Sequence, residues 1–217
     1  MCGRFSLASN LEELNNEFSS EMSSNFPAKY NISPGQNSIV ISLMKNNFYI
    51  NQIHWGFKIP KLGKLVINAR SETINDKPLF KNLLQQNRCL IPANSWFEWN
   101  KEKKPYLIKH RKKDIIAFAG LHRVEKNQER SFIIITAEAE KKLKQIHKRT
   151  PLVINKENFF SWLNYDYEKA YKFLQPINSN EYIFHPVSPK VGKISNNNIS
   201  VTEKYHGKES QLNLFSN

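Results

Sequence analysis

Cysteine is nearly absent from this 217-residue chain: Cys2 and Cys89 are the two thiols, and glycine is scarce at seven residues. Two thiols so far apart in sequence form neither a metal-ligand spacing nor a disulfide framework. There is no Gly-rich phosphate loop and no regular alternation of strands with helices, which disfavours the common nucleotide-cofactor folds. No apolar run approaches the ~18 residues of a membrane span, and no charged stretch followed by an apolar one opens the chain. Secretion and membrane insertion are therefore excluded, and a cytosolic or nucleoid-associated chain is expected. Nothing points to a metal or an organic cofactor.

Acidic residues are also few. Nineteen Asp and Glu face thirty-two Lys and Arg, a formal net charge of +13. An excess of that size favours a polyanionic partner, most often nucleic acid. The competing reading is a solvated lysine-rich surface, since the runs at 101–104 and 111–113 have the composition of hairpin turns. A chain this long, 40% apolar, buries roughly 70% of its unfolded surface and needs no crosslink for stability.

Many short strands in hairpin order, with helices interspersed irregularly, predict an α+β fold built on a mostly antiparallel, barrel-like sheet. Strands are expected at 3–7, 89–92, 95–99, 106–109, 115–121, 132–136 and 152–154, and a hairpin joins 38–44 to 48–53 around Lys45-Asn46-Asn47. Ser9 or Asn10 caps a helix carrying Leu11, Leu14 and Phe18. Pro78 opens another with Leu79, Leu83 and Phe80 on its apolar face, and further helices are expected at 137–146, 159–163 and 167–174. Beyond about Asn196 the composition turns polar, so a catalytic domain over 2–200 and a flexible tail over 201–217 are predicted.

Cys2 follows the initiator Met, and a residue this small permits Met removal, so the mature chain would begin with cysteine. An N-terminal cysteine sets an amine and a thiol on adjacent carbons, titrating near ~8 and ~8.5. Together they trap an aldehyde, because the amine condenses to an imine and sulfur then closes a five-membered thiazolidine. Glu98 lies in Trp96-Phe97-Glu98-Trp99, where flanking aromatics should hold its proton more tightly, as acid/base work requires. In an alternating strand it reads equally as an outward-facing carboxylate. Asn68 and Arg70 interrupt an apolar run, and His147 precedes Lys148-Arg149-Thr150-Pro151, where an imidazole can shuttle protons. Arg4, Arg70 and Arg149 are bidentate phosphate ligands or plain surface arginines. Cys89, inside Arg88-Cys89-Leu90-Ile91-Pro92, reads as a packed, inert thiol.

The order of these blocks adds more. Met1-Cys2-Gly3-Arg4-Phe5, then Tyr30-Asn31-Ile32-Ser33-Pro34-Gly35, Trp55-Gly56-Phe57 and Asn68-Ala69-Arg70-Ser71-Glu72-Thr73 resemble the SOS-response-associated peptidase (SRAP) family. Trp96-Phe97-Glu98-Trp99, Ala119-Gly120-Leu121, Ile146-His147-Lys148-Arg149-Thr150-Pro151 and His185-Pro186-Val187-Ser188 continue the resemblance to about residue 200. It implies an SRAP-type fold and covalent shielding of abasic sites in single-stranded DNA, an enzyme of lyase-type Schiff-base chemistry working as a monomer. It also implies the roles. Cys2 closes the thiazolidine, Glu98 is the acid/base group, Asn68 holds the sugar or the N-terminus, and His147 moves protons. Arg4, Arg70 and Arg149 grip phosphates, with Pro34 and Trp55 as further DNA contacts. Where the family often carries a tryptophan after the Trp-Gly motif, this chain has Lys58-Ile59-Pro60-Lys61-Leu62-Gly63, which leaves stacking to Pro34 or Leu62. Thr150 stands where a bulkier residue is common.

Near the C-terminus, Gln211-Leu212-Asn213-Leu214-Phe215 resembles the pentapeptide with which bacterial repair proteins dock on the β sliding clamp, with Gln211, Leu212, Leu214 and Phe215 as its anchors. Two other functions use the same features. A cysteine peptidase or N-terminal-nucleophile hydrolase would use Cys2 with Glu98 or His147 as base, self-removal of Met1 being its limited form. A non-catalytic basic binder of single strands would ignore the aldehyde and weaken steeply with salt.

Overall fold

Lys45 and Asn46 both adopt the left-handed backbone (φ 50° and 64°), the geometry that lets a two-residue turn follow the right-handed twist of its strands. They join β3 (Asn37–Met44) to β4 (Asn47–Trp55) in an antiparallel hairpin, at the position expected from the sequence. The structure is a computed structural model that describes residues 2–19, 26–59, 63–125, 128–164 and 166–207.

β3 pairs with β8 (Arg88–Ala93), β8 with β11 (Ile116–Val124), and β11 with β12 (Arg130–Glu138), all antiparallel. β12 then pairs in parallel with β4, so the ladder returns on itself and closes a barrel. The interior is tight. A Cβ on Gly120 of β11 would come within 2.2 Å of Ile91 Cδ1 and 2.8 Å of the Ile133 carbonyl oxygen, which admits only glycine there. Beyond the closed part, β12 carries β7 (Asn68–Arg70) in parallel on the edge used by β4 and β13 (Arg149–Pro151) antiparallel on the other. Its C-terminal end therefore brings Asn68 and Arg149 to opposite sides of one strand.

The second sheet runs β15 (Tyr182–Pro186), β10 (Pro105–His110), β9 (Ser95–Trp99), β1 (Phe5–Leu7), β2 (Lys29–Ile32), antiparallel throughout. One face packs on the barrel, with Phe5 against Trp55 (ring centroids 5.1 Å apart) and Trp96 edge-on to Phe118. The other face buries Phe97 and Leu107 under Val187, Val191 and Val201. Side chains alternate along a strand, so Glu98, two residues from neither Phe97 nor Trp99 but from Trp96, faces the barrel side. A separate two-stranded ribbon, β5 (Phe57–Ile59) with β6 (Lys64–Val66), follows the Trp-Gly motif.

Helices are short. α1 (Leu11–Phe18) is closed at its start by a capping box in which Asn10 Oδ1 accepts the Glu13 N–H and Glu13 accepts the Asn10 N–H. α2 (Pro78–Gln86) buries Phe80 and Leu84, not Leu79, which is exposed; the i, i+4 pair sets the inward stripe. The helix expected over 137–146 is not formed. Ala137-Glu138-Ala139-Glu140 alternates buried and exposed at strand period, so β12 runs to Glu138 and only Lys141–Gln145 coils, as a 3-10 turn. α3 (Phe159–Asn164) and α4 (Tyr167–Tyr171) follow. The tail boundary expected at 200/201 also moves. Val201 is buried, Lys204 bridges to Val187, and the Tyr205 N–H donates to the Pro186 carbonyl at 2.9 Å, so the packed body continues past it.

Candidate active site

Cys2 is fully buried. The Phe97 N–H donates to the Arg4 carbonyl (2.9 Å), which pins the segment ahead of β1 along β9. Asn68 Nδ2 donates to the Cys2 carbonyl at 2.9 Å, while Asn68 Oδ1, also buried, has no hydrogen-bond partner among the described residues. That oxygen is a buried acceptor whose capacity is unused. Burial first, and then the nearby Glu98 carboxylate, push the Cys2 thiol up, so sulfur is held as S–H.

Glu98 is 3% exposed, and desolvation raises its carboxyl to about 7. Its Oε2 lies 3.7 Å from Nδ1 of His147, whose half-buried ring is lowered in pKa by burial first. That same Nδ1 meets the Arg149 backbone twice, 3.1 Å from its N–H and 3.2 Å from its carbonyl oxygen, so it accepts from the first in one tautomer and donates to the second in the other. A carboxyl that keeps its proton to neutrality beside an imidazole that gives one up is a pair suited to proton transfer in both directions. Cys2, Asn68, Glu98 and His147, scattered over the chain, meet here.

The arginines differ from one another. Arg149 donates from Nη1 and Nη2 to the Glu72 carboxylate (3.2 and 2.8 Å), from Nε to Thr136 Oγ1 (3.2 Å) and from Nη2 to the Thr136 carbonyl (2.5 Å). Of five N–H groups one is left, so a bidentate grip on phosphate is closed to it. Arg4 Nη1 donates to Asn31 Oδ1 (2.9 Å) and the Val191 carbonyl (3.1 Å), which ties it into the fold. The Arg70 side chain, exposed at the end of β7, makes no hydrogen bond among the described residues, so its N–H groups stay open to an incoming anion.

Trp55 corrects the expectation of a DNA contact. It is completely buried, its indole N–H donates to the Ile67 carbonyl (3.1 Å), and its ring stacks on Phe132, so it is core. Pro34 lies half-buried in the turn after β2. Thr150 is 2% exposed and packs inward. Leu62, Met1 and the pentapeptide at 211–215 lie outside the described residues. Cys89 is buried with its pKa raised by desolvation, the packed thiol expected from its strand. Among the described residues no cluster of three or more His, Cys, Asp or Glu is placed to hold a metal.

Two residues that hold the arginines escaped sequence reasoning. Glu72 positions Arg149, as described. Asn31, 2% exposed, donates from Nδ2 to the carbonyls of Val191, Lys193 and Asn196 (3.1, 3.0 and 2.8 Å) while its Oδ1 holds Arg4. A buried amide in an apolar strand was the available signal, and it pointed to no particular partner.

With this geometry in view, the profile of the family described as "SOS response associated peptidase (SRAP)" matches residues 1–194. The chain belongs to the SRAP family. An SRAP relative from Bacillus subtilis, "Abasic site processing protein YoqW", is 32% identical over 94% of this chain and 100% of its own length. Another from Escherichia coli, "Abasic site processing protein YedK", is 30% identical over 90% of this chain and 96% of its own. A crystal structure of a Bacteroides thetaiotaomicron protein shares the fold, with a TM-score of 0.82 at 20% identity over 94% of this chain and 100% of that one.

Proposed function

We propose that this SRAP protein processes abasic sites in single-stranded DNA by capturing them covalently through Cys2. One observation carries the reading: Asn68 holds the Cys2 carbonyl at 2.9 Å in a site where a buried carboxyl, Glu98, keeps its proton to about pH 7. The names of the relatives support the substrate.

Met1 is removed first. The α-amine of Cys2 attacks C1′ of the ring-opened sugar, and the carbonyl oxygen takes a proton from Glu98. The resulting carbinolamine loses its hydroxyl as water, with a second proton supplied through Glu98 and His147, the two protons shed by the amine nitrogen return to that pair, and an imine remains. The thiol then adds across C1′=N: sulfur bonds to carbon and its proton ends on nitrogen. The sum is one water lost and a closed thiazolidine. An open imine invites β-elimination and strand cleavage, whereas the ring removes it. Arg70 binds a flanking phosphate, and Arg4 and Arg149 contribute charge from fixed positions.

The raised thiol fits this order. A cysteine peptidase needs a thiolate at its attacking step, from a thiol lowered by its surroundings. Burial here works in the other direction. Sulfur acts second in ring closure, on an electrophile already activated by the imine.

Processed protein mixed with a single-stranded oligonucleotide carrying one abasic site tests the reading, by denaturing electrophoresis and intact mass. Wild type forms a heat-stable adduct one water lighter than the sum of its parts, and Cys2→Ala and Cys2→Ser do not. DNA cleaved without an adduct means a lyase, and salt-sensitive binding indifferent to Cys2 means a plain binder. Residues 211–215 are proposed to dock on a β sliding clamp, tethering a monomer at the replication fork. Deleting 211–217 should abolish clamp pull-down and leave crosslinking intact, and clamp binding that survives the deletion removes that proposal.

A further inference from the structure

The turn between β10 and β11 carries His110, Arg111, Lys112 and Lys113, and its conformation is held. His110 Nδ1 accepts the N–H groups of Lys112 and Lys113 (3.1 and 3.0 Å), and the Arg111 N–H donates to the Glu181 carbonyl (2.8 Å). Arg111 Nε donates to the Asn180 carbonyl (2.8 Å), so the exposed guanidinium is anchored by one corner. Its Nη1 and Nη2 have no hydrogen-bond partner among the described residues, and that edge matches two oxygens of a phosphate.

Beside the turn lies a cavity of about 290 Å³ that also takes in Lys109, with Asp114 as the carboxylate in its lining. It reaches Ser95, at the other end of β9 from Glu98 and, by strand alternation, on the opposite face of the sheet. Two of its lining hydroxyls, Ser6 and Ser95, are 2% and 4% exposed and share a hydrogen bond of 2.7 Å between their Oγ atoms. One of the pair donates, so the other keeps an O–H with no acceptor among the described residues. A buried hydroxyl proton beside a cationic turn is complementary to an anionic oxygen. A second cavity, of about 320 Å³, shares residues 110–113 and adds Asn155, Asn180 and Glu181. Two adjoining recesses on one cationic turn suit successive phosphates of a strand better than a single free ion.

We propose that this region is a second phosphate site, occupied by the backbone of the same single strand whose abasic nucleotide is held at Cys2. The assignment rests on the single-strand reading above and extends the binding track to the distal end of the five-stranded sheet.

The full-length protein is titrated by fluorescence anisotropy with undamaged single strands of about 7 and about 30 nucleotides, lengths chosen to fill one site or both. R111A/K112A/K113A is expected to weaken the long strand about tenfold and to lower the slope of log K against log salt by about 2, as for three lost phosphate contacts. Short-strand affinity and adduct yield on a short abasic strand stay at wild-type values. A charge-matched control, K77A/K81A/K172A, removes three exposed lysines elsewhere and leaves the long strand within about twofold. An equal loss in both triple variants, or no loss in the first, overturns the site. Saturable binding of AMP or inorganic phosphate that competes at the turn while long-strand affinity is unaffected by R111A/K112A/K113A overturns the strand as its occupant. Absence of any adduct in wild type would remove the abasic-site reading while leaving this comparison of undamaged strands intact.

Discussion

Glu72 and Arg149 face each other as a bidentate pair, Oε1 to Nη1 at 3.2 Å and Oε2 to Nη2 at 2.8 Å, with the Glu138 N–H donating to Oε1 as well. The backbone of the same arginine holds His147 Nδ1. A carboxylate near the surface is thus two steps from the proton-transfer pair.

Removing that charge should be felt in two places. Burial works against ionisation of Glu72, but the Arg149 hydrogen bonds, the backbone N–H groups of Glu72 and Glu138 and the Arg149 charge together outweigh it and hold the carboxyl below its ordinary value. A depressed carboxyl contributes stability that is present above the unfolded pKa near 4.5 and is lost as pH falls through the folded one. Because Glu72 is well exposed, the contribution is about 1 kcal/mol at most. Glu72→Gln should lack that acid-sensitive component in melting curves run from neutral pH downward. It should also slow adduct formation roughly fivefold, the rate equivalent of about 1 kcal/mol.

Glu98 opposes stability through its burial. Its carboxyl titrates near 7 in the fold against 4.5 when free, so the folded protein loses stability as pH rises from about 4.5 to 7. Glu98→Gln should raise stability at pH 8 by up to about 3 kcal/mol, with the difference vanishing below pH 4.5. The same variant should slow capture by roughly 10²–10⁴ and erase the fall in wild-type rate expected as pH rises through about 7. A Glu98→Gln protein no more stable than wild type at pH 8 would contradict the buried acid.

Both thiols are buried and raised by desolvation. Iodoacetamide at pH 8 should leave them unlabelled in the folded protein and modify both after denaturation, read by intact mass. Rapid native labelling at Cys2 would mean that its sulfur is not stored as S–H.

Trp55 is packed between Phe5 and Phe132. Trp55→Ala should lower unfolding free energy by about 3–5 kcal/mol in urea titration. Trp55→Phe, which keeps most of the volume, should retain strand affinity. Loss of DNA binding by a stably folded Trp55→Phe protein would restore Trp55 as a contact.

Local chemistry was readable where a residue's own backbone preference or period decides. Lys45-Asn46 marks the β3–β4 turn, Asn10 with Glu13 marks the start of α1, and β9 falls on the residues its alternation predicts. The resemblance named Cys2, Asn68, Glu98 and His147 together and the fold brings them together, while Glu98 alone reads equally well on either face of β9. What escaped depends on pairing between distant segments. The parallel contacts of β12 with β4 and β7 leave no mark in any one stretch, and neither does the Glu72–Arg149 pair. A tryptophan in an apolar motif looks the same whether it stacks on a base or on Phe132, and only the closed barrel settles Trp55 inside.

The placement of Asn68 and Arg149 on opposite edges of β12 makes one strand the keystone of the cluster. Asn68 reaches the Cys2 carbonyl from β7 on one edge, and His147 stands two residues before Arg149 of β13 on the other. A lesion that unpairs the C-terminal end of β12 therefore releases both halves together, so the cluster is kept or lost as a unit.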